Sequence, residues 1–386
     1  MNKKLVRITT IPMSLKHLLK GQMAFMSENG FDVIMISSDG KELKDAIENE
    51  KCRHFIIPFT RKITPFKDLI AVFSLYSLLI KEKPDIVHTH TPKAGAVGMI
   101  ASFLARVPVR IHTVAGLPLL EATGLKRVVL NFVEKLTYKC STKVYPNSFG
   151  LKNIILKNRF TTENKLRVIG IGSSNGIDTS YFDSELFSDK ENNKLKSELG
   201  IESNDFVFIF VGRLVADKGI NELVEAFNEL CLDLKGIKLL LVGPFEDELD
   251  PLSEKTKLLI SSHDKIISAG YQNDVRPFFA ISNLLVFPSY REGFPNVVMQ
   301  SGAMGLPSIV TDINGCNEII QTDYNGIVIP SKDIQSLKRA MSRIFQDKEL
   351  YLKCSATSRL AIVNNYEQKL YWNALLNEYE SYKNVL

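Results

Sequence analysis

Short apolar runs separated by longer helix-like segments recur along the chain, and this alternation limits its fold more than any other feature. In the first half the runs are LVRITTI, FDVIMISS, HFIIPF, DIVHTH, VRIHTV, TKVYPNS and LRVIG; in the second half they are FVFIFVG, IKLLLVG, KIISAG, LLVFPS, LPSIVT and GIVI. Such alternation is typical of βαβ units around a mainly parallel sheet. Since 386 residues exceed one ordinary core, the sequence predicts two α/β domains.

Local composition suggests where the domains begin and end. Residues 173–204 are rich in Ser, Asp and Asn, which predicts a linker between a first domain of residues 1–172 and a second of residues 205–365. Residues from about 366 to 386 have the pattern of an amphipathic helix. Ser14 is the expected N-cap of the first helix and Gly30 its stop, so residues 8–14 are expected to form a loop at the ligand-binding edge of the sheet.

Charge is divided unevenly between the halves. Residues 1–172 carry 27 Lys and Arg against 13 Asp and Glu, a net +14, whereas the remainder carries 21 against 30, a net −9. A basic half suits nucleic acid, an anionic membrane surface, an anionic substrate or solvent alone. Nucleic acid is not expected, because no aromatic-interleaved basic cluster or known nucleic-acid motif is present. The stretches 60–83 and 117–139 resemble interfacial helices, although packed core helices give a similar pattern.

Other patterns exclude whole classes of protein. No run of 18 apolar residues occurs, and the N-terminal apolar stretch is too short for a signal peptide, so we expect a cytoplasmic protein that does not span a membrane. The five cysteines are scattered and never form CxxC. The sequence therefore indicates neither a disulfide framework nor a zinc site.

The first motif that can carry chemistry is VGRLVADKGI, residues 211–220, directly after an apolar run. Gly212 permits a sharp turn, and Arg213 and Lys218 place two cations where a diphosphate needs them. On its own this spacing is more typical of a solvated surface.

The second motif lies in residues 284–311, which are expected to run strand, loop, helix, strand. Glu292 falls in the loop, and the free backbone N–H groups around residues 294–297 open the following helix toward an anion. Helical spacing places Asn296 and Gln300 on one face. Glu292 and Gln300 are therefore expected to contact two parts of one ligand.

Together these motifs resemble the retaining glycosyltransferases of family 4, the group 1 glycosyltransferases, whose signature is Glu, seven residues, Glu, with the first Glu in an EGFP- or EGFG-like loop. NGIDTSYF at 175–182 is similar to the interdomain GVDTxxF of that family, and residues 14–22 and 85–98 resemble its CapM-like capsular polysaccharide branch. The resemblance implies an α/β fold of the GT-B type: two facing Rossmann-like domains with an interdomain cleft, and a C-terminal helix that packs back on the first domain.

The resemblance also implies a set of site residues. Arg213 and Lys218 would clamp the donor diphosphate, Glu292 would contact the transferred sugar, and Gln300 would take the ribose position. Glu292, Arg213 and Lys218 are thus the expected catalytic residues. The expected donor-binding set is Gly212, Arg213, Lys218, Glu292, Gly293, Phe294, Pro295, Asn296 and Gln300.

Two positions depart from the family pattern. Gln300 stands where the family has Glu, and Ala115 stands where the family has the His of TxHG. The residues of the first domain that could replace this His or bind the acceptor are Ser14, His88, His90, Lys93 and His112. Strand alternation points His88 and His90 to one face, while a structural role stays open for each histidine.

The function that the resemblance implies is transfer of a hexose or N-acetylhexosamine from a nucleotide-diphosphate sugar, expected to be UDP-linked, to a polyprenyl-diphosphate-linked saccharide. The product would be a capsule, O-antigen or exopolysaccharide repeat, made by a protein peripheral on the inner face of the cell membrane. No metal or other cofactor is expected. In the front-face mechanism of such retaining enzymes the leaving diphosphate can take the acceptor proton, so no protein base is required. Two alternatives stay open: a sugar-nucleotide-binding protein that has lost catalysis, and a GT-B sugar-nucleotide epimerase.

Overall fold

The computed structural model describes residues 3–60, 64–117, 119, 122–248 and 250–382. It divides into two compact units. Unit 1 contains the described residues of Met1–Gly176 and Lys369–Leu386, and unit 2 contains those of Ile177–Gln368.

Strands and helices alternate through both units. The strands are β1 (Lys3–Ile8), β2 (Phe31–Ser37), β3 (Arg53–Ile56), β4 (Ile86–His90), β5 (Val109–Val114), β6 (Lys143–Pro146), β7 (Phe206–Val211), β8 (Ile237–Val242), β9 (Ile266–Gly270), β10 (Leu284–Phe287), β11 (Ser308–Thr311) and β12 (Gly326–Ile329). The helices are α1 (Gln22–Glu28), α2 (Leu43–Glu50), α3 (Pro65–Glu82), α4 (Pro92–Leu104), α5 (Gly124–Cys140), α6 (Phe149–Lys157), α7 (Asp189–Glu198), α8 (Ile220–Asp233), α9 (Glu254–Ser262), α10 (Arg276–Ala280), α11 (Asn296–Ala303), α12 (Cys316–Ile319), α13 (Ile334–Gln346), α14 (Lys348–Tyr366) and α15 (Gln368–Ser381). None of the helices in the described ranges combines the length and the apolar composition needed to cross a bilayer.

Each unit is built on a six-stranded parallel sheet. The order is β3-β2-β1-β4-β5-β6 in unit 1 and β9-β8-β7-β10-β11-β12 in unit 2. Both orders are that of a Rossmann sheet, in which the order of the strands reverses between the first and fourth strands of the unit. Ligands bind to such sheets at this switch point, outside the carboxyl ends of the strands. The switch points lie between β1 and β4 and between β7 and β10.

Twelve of the thirteen predicted strands are present, and LRVIG is the exception. Its first residue, Leu166, makes an isolated bridge to Val144 of the edge strand β6. The chain then turns away, and Gly170 adopts a left-handed φ of 57°. The prediction of a strand here was wrong, because an apolar run does not reveal whether the segment continues to pair with the adjacent strand.

The first helix is interrupted. A short π-helix, Ser14–Leu18, is preceded by Met13 and has no side-chain cap, so the prediction that Ser14 is an N-cap was wrong. α1 begins after Gly21, whose φ is 79° and whose missing Cβ would lie 2.6 Å from the Trp372 ring of α15. The close approach of α15 therefore requires glycine at the point where the helix is interrupted. Gly30 follows the end of α1 with a φ of 88°, as predicted.

The composition-based linker contains regular structure. From Ile177 onward it belongs to unit 2, and α7 lies within it. Ser188 caps α7 through a reciprocal pair of hydrogen bonds with Glu191, which satisfies N–H groups at the start of the helix. Polar residues that suggest a loop therefore serve here as a helix start.

Within unit 1, α15 covers one face of the sheet. Tyr371, Leu375 and Tyr379 are buried in the same core as Leu5 of β1 and Met35 of β2. On the opposite face of the sheet, α3 and α4 form a second core with the side chains that these strands direct to that face. Burial of this apolar surface is the main force that holds the C-terminal helix in unit 1.

Candidate active site

The two motifs predicted to bind a donor occupy the switch point of unit 2. The first follows β7 and the second follows β10, and these two strands are adjacent and parallel. Gly212 donates its N–H to the carbonyl of Val242 at 2.9 Å, which continues the pairing of β7 and β8 to the edge of the sheet. The topology thus brings together two segments that are about 75 residues apart in the sequence.

Lys218 and Glu292 are in direct contact. Lys218 Nζ donates to Glu292 Oε1, and their side chains are only 14% and 17% exposed. The Ser289 hydroxyl lies 3.0 Å from the same carboxylate oxygen, and Lys218 Nζ lies 5.9 Å from the centroid of the Phe287 ring. The cation and the carboxylate are therefore held at the sheet edge rather than free in solvent.

Further contacts fasten the two loops to each other. Tyr290 donates its N–H to the carbonyl of Asp217 at 2.9 Å, and Arg291 Nη2 pairs with Asp217 Oδ2 at 2.7 Å. A Cβ on Gly219 would lie 2.2 Å from the carbonyl oxygen of Pro288, so only glycine permits this approach. The relative position of Lys218 and Glu292 thus follows from backbone packing as well as from their own ion pair.

Arg213 lies less deeply than Lys218. Its Nη1 pairs with Glu246 Oε2 at 2.9 Å, and its side chain is 42% exposed. An exposed ion pair of this kind contributes little to stability, typically about 0–1 kcal/mol. Arg213 can therefore exchange Glu246 for an anionic ligand at small cost.

A third loop, which the sequence analysis missed, also contacts the Glu292 segment. Asn314 Nδ2 donates to the carbonyl of Glu292 and lies 3.3 Å from that of Gly293. A Cβ on Gly315 would lie 2.4 Å from the Gly293 carbonyl oxygen. This loop follows β11, which lies next to β10. Because the loop comes directly after a predicted strand, its position at the ligand-binding edge of the sheet could have been predicted from the sequence.

The helix after Glu292 begins as the sequence predicts. α11 starts at Asn296 after Pro295, and Asn296 and Gln300 are both half-buried, one turn apart. Phe294 instead turns its side chain into the core, with its ring centroid 5.4 Å from that of Tyr366. Only the backbone of Phe294 can therefore face a ligand.

A buried thiol lies near the Lys218–Glu292 pair, and its protonation state depends on these surroundings. Cys316, at the start of α12, is fully buried, and burial raises its pKa well above the ordinary value. The nearby carboxylate of Glu292 raises the pKa further, whereas Lys218 opposes it. The thiol therefore stays neutral and is not a nucleophile at neutral pH.

The geometry suits an anionic ligand that also carries hydroxyl groups. Arg213, Lys218 and the first N–H groups of α11 can donate to phosphate oxygens, while Glu292 can accept from a hydroxyl. A diphosphate attached to a sugar has both kinds of group.

Comparison with known proteins decides the family. The family described as Glycosyl transferases group 1 matches residues 191–361, and the Glycosyl transferase 4-like domain matches residues 19–172. The capsular polysaccharide biosynthesis glycosyltransferase CapM of Staphylococcus aureus is 34% identical over 382 residues, which are 99% of this chain and 98% of that protein. The chain belongs to the group 1 glycosyltransferases. The predicted family, its CapM-like branch and the predicted enzyme class are confirmed.

Two further similarities extend the comparison. The UDP-Gal:alpha-D-GlcNAc-diphosphoundecaprenol alpha-1,3-galactosyltransferase of Escherichia coli is 32% identical over 340 residues, which cover 87% of this chain and 85% of that protein. The crystal structure of Anabaena Alr3699/HepE in complex with UDP and glucose matches with a TM-score of 0.82 at 17% identity, covering 98% of this chain and 100% of that one. The predicted GT-B fold with two Rossmann-like domains is confirmed.

In unit 1 of this glycosyltransferase, His88 and His90 lie on one face of β4, with ring centroids 4.2 Å apart, as alternation predicts. Both are fully buried in a polar network on the α15 side of the sheet. Arg7 Nη2 donates to His90 Nε2 at 2.9 Å, and Arg7 Nη1 donates to the Tyr379 hydroxyl at 2.8 Å. His88 hydrogen-bonds with Tyr379 and with Thr113.

This network is part of the interior of unit 1. Burial lowers the pKa of His88 and His90 well below the usual histidine range, and the Arg7 guanidinium lowers both further. Both rings are therefore neutral at pH 7. They hold α15 and β1 together rather than face solvent.

The other acceptor-side candidates lie elsewhere in unit 1. His112 is on the opposite face of the sheet, where its ring lies against Gly95 of α4 and its Nδ1 is 2.9 Å from the Thr89 hydroxyl. Burial lowers its pKa to about 4. Lys93, at the start of α4, pairs with Asp68 at 2.5 Å, and Ser14 is half-buried in the π-helix. The candidates are thus divided between two faces of the sheet and its edge.

Proposed function

We propose that this enzyme transfers, with retention, a hexose or N-acetylhexosamine from a UDP-sugar to a polyprenyl-diphosphate-linked saccharide. The product is a repeat of a capsule, O-antigen or exopolysaccharide. The observation that carries the proposal is the Lys218–Glu292 contact at the switch point of unit 2, because it joins a phosphate-binding cation to a sugar-binding carboxylate.

The donor occupies the loops after β7, β10 and β11. Lys218 and Arg213 bind the diphosphate, and the start of α11 adds backbone N–H groups. Glu292 accepts a hydrogen bond from the sugar, while Gln300, one turn beyond Asn296, accepts from a ribose hydroxyl through its amide oxygen. Ser289 and Asn314 hold the Glu292 segment in place through the contacts described above.

The reaction needs no base from the protein. The bond between the sugar C1 and the diphosphate oxygen breaks as the acceptor hydroxyl oxygen attacks C1 from the same face. The acceptor proton passes to the leaving diphosphate, so the products are the nucleoside diphosphate and the extended saccharide. Lys218 and Arg213 stabilise the charge that develops on the diphosphate, which is usually the largest contribution to such catalysis.

The acceptor class is supported by the relatives rather than by unit 1 alone. The Escherichia coli relative is named for an acceptor linked to diphosphoundecaprenol. A long polyprenyl chain is confined to a bilayer, so we place the enzyme on the inner face of the cell membrane. The net charge of +14 over residues 1–172 suits an acceptor diphosphate and an anionic surface.

One assay tests the proposal. The full chain is incubated with a panel of UDP-sugars, with and without a lipid-linked acceptor, and UDP release and sugar products are followed. Acceptor-dependent release of UDP and an elongated lipid are expected, and added EDTA should leave the rate unchanged because two side-chain cations replace a metal. An isomerised sugar would instead indicate an epimerase, and tight binding without turnover a binding protein.

A further inference from the structure

Two helices of unit 1 carry apolar side chains that the fold does not use. The outer faces of α3 and α5 each expose four large apolar residues spaced i, i+3, i+4 and i+7, and each of these side chains is between 42% and 87% exposed. We call them the α3 stripe and the α5 stripe. The members are Phe66, Leu69, Ile70 and Phe73 in the first and Leu125, Val128, Val129 and Phe132 in the second.

Other faces of the two helices make their contacts with the core of unit 1. α3 packs its opposite face into the core through Ala71, Val72, Leu75 and Leu79. α5 buries Thr137, Tyr138 and Cys140 near its other end. Apolar residues scattered singly over a surface are normal, but a run of four exposed apolar side chains on each of two helices marks an interaction site.

Both stripes begin at the same edge of the sheet. α3 follows β3 and α5 follows β5, so the first turns of both lie at the carboxyl ends of these parallel strands. α4 packs against both helices and lies between them. Lys93 in the first turn of α4 pairs with Asp68 in the first turn of α3. The stripes therefore flank the edge of unit 1 at which its switch point lies.

The charges around the stripes select the partner. Lys67 on α3 and Lys126 on α5 are exposed beside the apolar residues. Of the acidic residues of the two helices, Asp68 is paired with Lys93, Glu82 is at the far end of α3, and Glu134 is buried. Exposed lysines beside bulky apolar side chains match the headgroup and acyl layers of an anionic bilayer.

We infer that the α3 and α5 stripes are the surface by which unit 1 docks on an anionic lipid bilayer. The apolar side chains enter the acyl boundary while Lys67 and Lys126 meet anionic headgroups. The inference rests on the proposed function only in one respect, that the bilayer presents the lipid-linked acceptor to the adjacent edge of the sheet. Lys67 is described in the structure, whereas Arg61 and Lys62, which the sequence placed in the same stretch, lie outside the described residues.

Vesicle flotation of the full chain tests this surface. The vesicles are phosphatidylcholine alone or mixed with phosphatidylglycerol. The first double variant is Phe66→Gln with Phe73→Gln, and the second is Leu125→Gln with Phe132→Gln. The matched control is Leu232→Gln with Leu258→Gln in unit 2, whose side chains are 84% and 66% exposed. Equal thermal midpoints show that the variants fold.

Each stripe variant should lower vesicle partitioning by about ten-fold or more, and the control should not change it. Lys67→Gln with Lys126→Gln should lower binding about five-fold per lysine at low salt, with less effect at about 1 M salt, where the Debye length is ~3 Å. The stripe variants should bind vesicles weakly at every salt concentration.

Three results would overturn the inference. They are no binding of the wild-type chain to any vesicle, wild-type binding by both stripe variants, or loss of self-association instead of vesicle binding in those variants, which would make a second copy the partner. If the wild-type chain binds vesicles but never elongates a lipid-linked acceptor, the docking surface stands and the proposed function fails.

Discussion

The two units share one strand order but place their charged side chains differently. In unit 2, Lys218 and Glu292 extend from loops at the switch point and remain partly exposed. In unit 1, Arg7 and His88 extend from within strands β1 and β4 and are enclosed by α15. A loop at the sheet edge can present a polar group to a ligand, whereas a strand of the same sheet directs it into the interior. The reactive groups of this enzyme are therefore expected in unit 2.

The largest effect should come from removing the cations of unit 2. Lys218→Ala should lower acceptor-dependent UDP release by about 10²–10³-fold, because a charge-assisted contact to the leaving diphosphate is lost. Arg213→Ala should cost less, roughly ten-fold, since its side chain is more exposed. The matched control is Lys255→Ala, which removes an ion pair to Glu225 in the same unit. Wild-type turnover in both Lys218→Ala and Arg213→Ala would show that these cations of unit 2 take no part in the reaction.

The corresponding change in unit 1 should act on stability instead. His88→Gln breaks contacts with Tyr379 and Thr113, so it should lower the free energy of unfolding by about 1–3 kcal/mol while transfer continues. Trp372, the one tryptophan of the chain, lies in unit 1, so its fluorescence reports on this unit during urea unfolding. A stable His88→Gln enzyme without transfer activity would show that the histidine takes part in the reaction.

Acid should weaken unit 1 in a way that depends on the same histidine. Below the ordinary histidine pKa of about 6.5, the unfolded chain takes up a proton on His88, whereas the buried ring does not. The free energy of unfolding therefore decreases as the pH is lowered. Glu50, whose pKa burial raises, acts in the opposite direction. The difference between wild type and His88→Gln isolates the histidine.

Between about pH 6 and 5, the free energy of unfolding of His88→Gln should fall less steeply than that of the wild-type chain. The difference between the two slopes should be up to ~1.4 kcal/mol per pH unit. The measurement is urea unfolding at several pH values, followed by Trp372 fluorescence. Parallel stability curves for the two proteins would mean that the folded chain takes up a proton on His88 as readily as the unfolded chain does.

The smallest effect concerns the departure at Gln300. Gln300→Ala should weaken donor binding by several-fold, because a ribose hydroxyl loses an acceptor worth about 0.5–1.5 kcal/mol. Gln300→Glu should keep or improve the affinity, since its carboxylate accepts the same hydrogen bond. Calorimetric titration with UDP measures both, and equal affinity in all three proteins would show that position 300 does not contact the nucleotide.

Local patterns in the sequence were enough for most of the strands and for the positions of the two motifs after β7 and β10. They also predicted that His88 and His90 share a face, because strand alternation depends only on neighbouring residues. They could not predict that Tyr379, far along the chain, packs against the His88 ring. The Asn314 contact to the Glu292 segment was missed for the same reason, since it joins two loops through the packing of β10 against β11.

The most direct test of the assignment to unit 2 is acceptor-dependent UDP release by Glu292→Gln. This change keeps the shape of the side chain and removes the charge that faces Lys218. We predict a loss of about 10²-fold or more in the rate, with UDP binding retained, because the Glu292 carboxylate acts on the sugar as charge develops. Transfer at the wild-type rate would contradict the account and return the search for reactive groups to unit 1.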